Sequence, residues 1–121
     1  MPGTKTVLIV DDDPQILRLV ERMLASRKVN LLTAPRPSAA LRICEQQPLD
    51  LLIADVALPE MDGDKLAERI LKLQPGAAVL LISGHSKDVP GNCRLPQVRF
   101  LKKPFFPSQL IEYLRELLPD A

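Results

Sequence analysis

The chain has 121 residues, 46% of them hydrophobic, and a formal net charge of +1, which suits a single domain over residues 1–121 with a buried core. The near-neutral charge and the 3% aromatic content give no support for direct binding to nucleic acids or to membranes. Cys44 and Cys93 lack metal-ligand spacing and suggest no disulfide framework, and the N-terminus lacks the apolar stretch of a signal peptide, so we expect a cytoplasmic protein.

Short apolar runs alternate with helical patterns along the whole chain. Strands are predicted over residues 5–10, 29–33, 50–54, 78–82 and 98–101. Two of these runs, Leu51–Ala54 and Val79–Ile82, have no polar alternation, which is typical of strands covered on both faces. The alternation therefore predicts a doubly wound α/β fold with a parallel five-stranded sheet and right-handed crossovers.

Helices are predicted after each of the first three strands and at the end of the chain. Their start signals are capping side chains or prolines, at Asp13-Pro14, at Ser38, at Asp62 or Asp64, and at Pro107. The segment between the fourth and fifth strands contains Pro90, Gly91 and Pro96. Because proline disrupts a helix interior, we expect the fourth helix to be short or irregular.

Polar residues follow four of the five predicted strands. They are the acidic triplet Asp11-Asp12-Asp13, then Asp55, Ser83-Gly84 and Lys102-Lys103-Pro104. The carboxyl ends of parallel strands lie at one edge of the sheet, where α/β proteins bind their ligands. Residues that are far apart in sequence are therefore expected to converge there, although the triplet taken alone also fits a helix cap beside a solvated turn.

This set of residues suits phosphoryl transfer to a carboxylate. Asp12 and Asp55, with a nearby backbone carbonyl, offer the oxygen ligands that Mg²⁺ prefers, and Asp11 can bind through water. Asp55, in the middle of the site, is the candidate nucleophile that would form an acyl phosphate. Ser83 can donate a hydrogen bond to a phosphoryl oxygen, and Lys103 supplies positive charge.

Five motifs in this order and spacing carry a family resemblance. They are Val7–Pro14 with the acidic triplet, Asp50–Asp55, the run Leu58-Pro59-Glu60-Met61-Asp62-Gly63, Ser83-Gly84, and Phe100–Phe105 with Lys103-Pro104. Through them the chain resembles the receiver domain of two-component response regulators, the family of the bacterial chemotaxis response regulator. The resemblance covers essentially the whole chain. It implies a flavodoxin-like (βα)₅ fold with strand order 2-1-3-4-5.

The resemblance also implies roles for individual residues. Asp55 would be the phosphoacceptor, and Lys103 would contact the phosphoryl group. Asp11, Asp12, Asp55 and the backbone carbonyl of Ala57 would hold Mg²⁺ or Mn²⁺. The phosphoryl donor would be a phosphohistidine on a sensor histidine kinase or a histidine phosphotransfer protein.

A second set of implied roles concerns switching. Ser83 and Phe100 would form the switch pair, and the peptide bond before Pro104 would be cis, as X-Pro bonds tolerate. Phe100 stands where many relatives have Tyr, and a plain core role for this ring stays open. Ala57 and His85 occupy positions that can tune dephosphorylation, although His85 also fits a simple surface residue. The resemblance leaves room for a homodimer through the face of the last strand and helix.

Two other classes of function stay open at this point. The first is a receiver-like interaction module that works without phosphorylation, which the complete acid pair, acceptor and lysine argue against. The second is a phosphatase of the haloacid dehalogenase type, for which Gln15 is the wrong residue and the length leaves no cap domain. We therefore expect a phosphorylation switch rather than a turnover enzyme.

Overall fold

The computed structural model describes residues 4–25, 27–84 and 97–118. Within these residues the elements follow one another as β1 (Lys5–Val10), α1 (Pro14–Leu24), β2 (Val29–Ala34), α2 (Pro37–Gln46), β3 (Leu51–Asp55), α3 (Gly63–Leu73), β4 (Ala78–Ser83), β5 (Val98–Lys102) and α4 (Pro107–Leu117). The predicted short or irregular helix between β4 and β5 falls on residues 85–96, outside the described residues. No helix within the described ranges has both the length and the apolar content needed to cross a membrane.

The five strands form one sheet in the order β2-β1-β3-β4-β5, and every pairing is parallel. This confirms the predicted flavodoxin-like fold. The register aligns the carboxyl ends of the inner strands, because Val10 pairs with Ala54 and Asp55 pairs with Ile82. Ser83 in turn pairs with Lys102. The residues at or directly after the carboxyl ends of β1, β3, β4 and β5 are thereby brought to one edge.

Both faces of the sheet are covered by helices, which explains the apolar runs without polar alternation. All five residues of β3 and all six of β4 are buried. On one face α2 and α3 pack their buried residues, such as Cys44 and Ile70, against the sheet. On the other face α1 and α4 do the same, for example with Val20 and Leu110.

One of the predicted helix caps is confirmed and another is wrong. Asp13 caps α1, with its side chain accepting a hydrogen bond from the Gln15 N–H at 2.9 Å. Ser38 does not cap α2, because Pro37 takes the first helical position and moves Ser38 into the first turn. The partner of Ser38 is instead Glu60, from the loop between β3 and α3.

Candidate functional site

The site lies at the carboxyl edge of the sheet, where the register brings four strand ends together. Asp55 is the last residue of β3 and is 8% exposed, and Ser83, the last residue of β4, is fully buried. Asp11 directly follows β1 and is 1% exposed. Lys103 directly follows β5, and its peptide bond to Pro104 is cis. Two carboxylates and one ammonium group thus share a largely buried space.

Asp55 uses both of its carboxylate oxygens. Its Oδ2 accepts a hydrogen bond from Lys103 Nζ at 2.7 Å, and its Oδ1 accepts one from the Ala57 N–H at 3.0 Å. Burial by itself would lower the pKa of Lys103, but the bond to Asp55 and the charges of Asp55 and Asp11 outweigh it, so the pKa is raised. Lys103 therefore stays charged at neutral pH, and the two hydrogen bonds hold the Asp55 carboxylate in one orientation.

Asp11 is less well satisfied than Asp55. Its Oδ1 accepts a hydrogen bond from the Asp13 N–H at 2.9 Å, whereas its Oδ2 is buried without a hydrogen-bond partner among the described residues. Lys103 Nζ lies 4.0 Å from that oxygen. Burial raises the pKa of Asp11 to about 6, against the opposing effects of the Asp13 N–H and Lys103. A cation bound beside this oxygen would therefore stabilise its negative charge.

The donor set suits a hard divalent cation. Asp11 supplies an oxygen without a hydrogen-bond partner among the described residues, the next residue, Asp12, is exposed, and Ala57 is exposed as well. No group of three or more His, Cys, Asp or Glu side chains in the described ranges is arranged to hold a metal ion by itself. Mg²⁺ usually takes only one or two carboxylates and completes its shell with water and phosphate oxygens, so a smaller protein contribution fits it.

The remaining predicted site residues lie in different surroundings. The Ser83 carbonyl accepts a hydrogen bond from the Lys103 N–H at 2.7 Å, which ties the ends of β4 and β5 together. Phe100, on β5, is half-buried and packs against the core on the face covered by α2 and α3. It also lines a surface groove with Tyr113 of α4. His85 lies outside the described residues.

Gly63 is a site residue whose role the sequence pattern did not reveal. Its position predicts a turn and a helix start, but it is also buried against the end of β3. A Cβ atom at this position would lie 2.2 Å from the backbone oxygen of Asp55 and 3.0 Å from Val56 Cα. Only glycine permits this approach. The Gly63 N–H donates to the Val56 carbonyl at 2.7 Å, so α3 begins directly against the end of β3.

Comparison with known proteins decides the family. The model of the response regulator receiver domain matches residues 7–115. The chain belongs to this family. Receiver domains are the signalling switches of two-component systems rather than turnover enzymes.

Two relatives in which a similar domain occurs are much longer than this chain. The chain is 32% identical over 117 residues to the transcriptional regulatory protein GlrR of Escherichia coli K12, covering 95% of this chain and 26% of GlrR. It is 31% identical over 125 residues to the sensor kinase CckA of Brucella abortus, covering 98% of this chain and 13% of CckA. The chain thus spans about a quarter or less of these two relatives.

A solved receiver structure agrees with the observed fold. The signal receiver domain of an HD domain-containing protein from Pseudomonas fluorescens Pf-5 superposes with a TM-score of 0.89 at 27% identity. The match covers 98% of this chain and 90% of that one. The receiver fold therefore extends over nearly the whole chain.

Proposed function

We propose that this receiver is the phosphoacceptor of a two-component phosphorelay and that Asp55 takes the phosphoryl group in an Mg²⁺-dependent reaction. The observation that carries the proposal is the Asp55 carboxylate, held at the sheet edge by Lys103 at 2.7 Å beside the unsatisfied Oδ2 of Asp11. A carboxylate oxygen of Asp55 would attack phosphorus as the P–N bond of the donor phosphohistidine breaks. The leaving electron pair stays on the imidazole nitrogen, and an acyl phosphate forms.

The acidic residues around Asp55 would hold the cation that this reaction needs. Asp11, Asp12, Asp55 and the Ala57 carbonyl are the proposed protein ligands for Mg²⁺ or Mn²⁺. When bound, such a cation neutralises charge on the phosphoryl oxygens. The support for this assignment is electrostatic: the carboxylates of Asp11 and Asp55 both lie within 4.0 Å of the Lys103 ammonium, and one buried carboxylate oxygen has no hydrogen-bond donor among the described residues.

Lys103 and Ser83 would stabilise the transferred group. Lys103 already contacts the oxygen of Asp55 that faces the shared space, so its ammonium can follow that oxygen when it bonds to phosphorus. Ser83 ends the neighbouring strand, and its hydroxyl is proposed to donate to a phosphoryl oxygen. The resulting change would reach the surface through Ser83 and Phe100 and alter the face of β5 and α4, where a homodimer or an output partner could bind.

The proposed donor is a histidine-bearing partner, either a sensor histidine kinase or a histidine phosphotransfer protein. A groove with a volume of about 440 Å³ lies beside Lys103, and Ile16, Leu19 and Phe105 give it apolar walls. Leu19 is 37% exposed although it is a large apolar side chain. An apolar helix face of the partner would cover this groove and present its phosphohistidine to Asp55.

The experiment incubates the protein with Mg²⁺ and a small phosphodonor and follows acyl-phosphate formation by intact mass. We expect one phosphoryl group on the wild type, none on Asp55→Asn, and none when a chelator removes the cation. Asp62→Asn is the matched control, because Asp62 is an exposed acid in the following loop whose side chain makes no capping bond. If the wild type stays unmodified, the domain works instead as a phosphorylation-independent interaction module.

A further inference from the structure

One side chain ties the loop between β3 and α3 to the first turn of α2. The Glu60 carboxylate accepts hydrogen bonds from the Ser38 N–H at 2.9 Å and from the Ser38 hydroxyl at 3.0 Å. The first N–H groups of a helix have no partner within the helix. Arg36, which precedes α2, makes no side-chain capping bond, and the first turn of α2 holds no acidic residue. Glu60 therefore supplies both the missing acceptor and the negative charge that favours a helix N-terminus.

Glu60 adopts an unfavourable backbone conformation at this position. Its φ angle is 69°, in the left-handed region that residues with a side chain seldom adopt. The Met61 N–H bonds the Pro59 carbonyl at 2.7 Å across it, so Glu60 is the centre of a γ-turn. Strain of this kind persists where surrounding contacts enforce it. The two bonds to Ser38, which we call the Glu60–Ser38 latch, are contacts of this kind.

The loop that the latch anchors begins at the acceptor strand. The Ala57 N–H holds Asp55 Oδ1 at 3.0 Å, and the Gly63 N–H closes the loop on the Val56 carbonyl at 2.7 Å. Glu60 lies between these two bonds along the chain. Releasing its side chain would let the loop move, and the Ala57 backbone would move with it.

We propose that Glu60 is a positioning residue for phosphoryl acceptance. The latch holds the loop so that the Ala57 N–H orients the Asp55 carboxylate and the Ala57 carbonyl keeps its place beside the acidic residues. Glu60 does not touch the reacting atoms; it acts through the backbone of Ala57. This inference rests on the proposed function of Asp55 as the acceptor.

The decisive variant is Glu60→Gly, because it removes the Glu60–Ser38 latch without leaving a side chain in a strained backbone conformation. Glycine accepts a positive φ without penalty, so relief of the backbone strain offsets part of the cost of losing both bonds to Ser38, and the variant stays folded. Glu60→Gln keeps a side-chain acceptor and should restore part of the function. Glu68→Ala is the control, because Glu68 is an exposed acid on α3.

Two readouts are measured on each variant: the rate of Asp55 phosphorylation from a small phosphodonor with Mg²⁺, and amide hydrogen exchange at Ala57 and Gly63 without Mg²⁺. We expect Glu60→Gly to slow phosphorylation and speed exchange by about fivefold, the change typical of losing one helix cap, with Glu60→Gln intermediate. If a stably folded Glu60→Gly shows an unchanged phosphorylation rate and unchanged amide exchange, the positioning role of the latch is refuted. If the wild type accepts no phosphoryl group, the proposed function fails, and hydrogen exchange alone then decides whether the latch holds the loop.

Discussion

Neutralising Asp11 should stabilise the protein in the absence of metal, although it removes a proposed cation ligand. The Asp11 carboxylate is 1% exposed, and its Oδ2 has no hydrogen-bond partner within the described part of the chain. Burial raises its pKa from 3.8 to about 6. Keeping this group ionised at neutral pH therefore works against folding, and Asp11→Asn removes that cost.

The size of the effect follows from the pKa. A pKa of about 6 instead of 3.8 corresponds to about 3 kcal/mol of unfolding free energy, since one pKa unit is worth ~1.4 kcal/mol. The new amide brings buried N–H donors, and imperfect pairing of these costs about 1 kcal/mol. We therefore expect Asp11→Asn to be more stable than the wild type by about 2 kcal/mol at pH 7.5 with a chelator present.

The pH dependence of the stability difference tests the direction of the Asp11 effect independently of any contribution from the new amide. A raised pKa in the folded state means that the wild type is favoured at low pH and loses stability as the pH rises from about 4 through 6. The variant lacks this titration. The gap between the two proteins should widen by about 2 kcal/mol or slightly more between pH 4 and pH 7.5, and urea unfolding at both pH values measures it.

Asp12→Asn is the matched control, because Asp12 is the exposed neighbour in the same acidic triplet. Without metal its stability should stay within about 0.5 kcal/mol of the wild type, as is usual at exposed positions. Millimolar Mg²⁺ should stabilise the wild type by mass action and neither variant. The electrostatic reasoning is refuted if Asp11→Asn is no more stable than the wild type at pH 7.5. Equal stabilisation of all three proteins by Mg²⁺ would refute the cation site.

Three other predictions follow from particular contacts. Leu19→Lys should slow phosphorylation by a histidine-bearing donor but not by a small phosphodonor, whereas Leu73→Lys, at a leucine 50% exposed on another helix, should slow neither. Gly63→Ala should cost about 2 kcal/mol or more in urea unfolding because its Cβ would overlap backbone, while Gly76→Ala, with nothing within 4 Å, should be nearly neutral. Gln74→Leu should lower the thermal unfolding midpoint and cost about 2 kcal/mol, because its amide bonds three backbone groups around the end of α2; an unchanged midpoint would contradict this.

Simple periodicity was sufficient to predict a doubly wound parallel sheet and the convergence of its strand ends, whereas the strand order was an implication of the family resemblance. Buried parallel strands are apolar throughout, and their carboxyl ends must share an edge once the order is set. Asp11, Asp55, Ser83 and Lys103 could therefore be placed together from strand ends alone. Their bonding could not be predicted in the same way, since the 2.7 Å contact between Lys103 and Asp55 depends on side-chain geometry across the sheet edge.

The features that the sequence did not predict are one contact between distant segments and two backbone arrangements in the loop after β3. Ser38 has the right chemistry for a helix cap, and local preference gives no reason to look 22 residues ahead to Glu60. Gly63 reads as an ordinary turn residue until its backbone is seen against Asp55. The positive φ of Glu60 has no local signal either, because glycine and asparagine are the residues that usually mark such positions.

These contacts are important because they connect the site to the neighbouring helices. The site itself carries more negative than positive charge. The carboxylates of Asp11 and Asp55 both lie within 4.0 Å of the Lys103 ammonium, and ionisation of the buried Asp11 lowers the free energy of unfolding. A cation that binds these carboxylates would offset the excess negative charge and would stabilise the folded state by mass action. The loop after Asp55 is anchored at one end by Gly63 and in its middle by Glu60, so a displacement of Asp55 would be passed to α3 and to the start of α2.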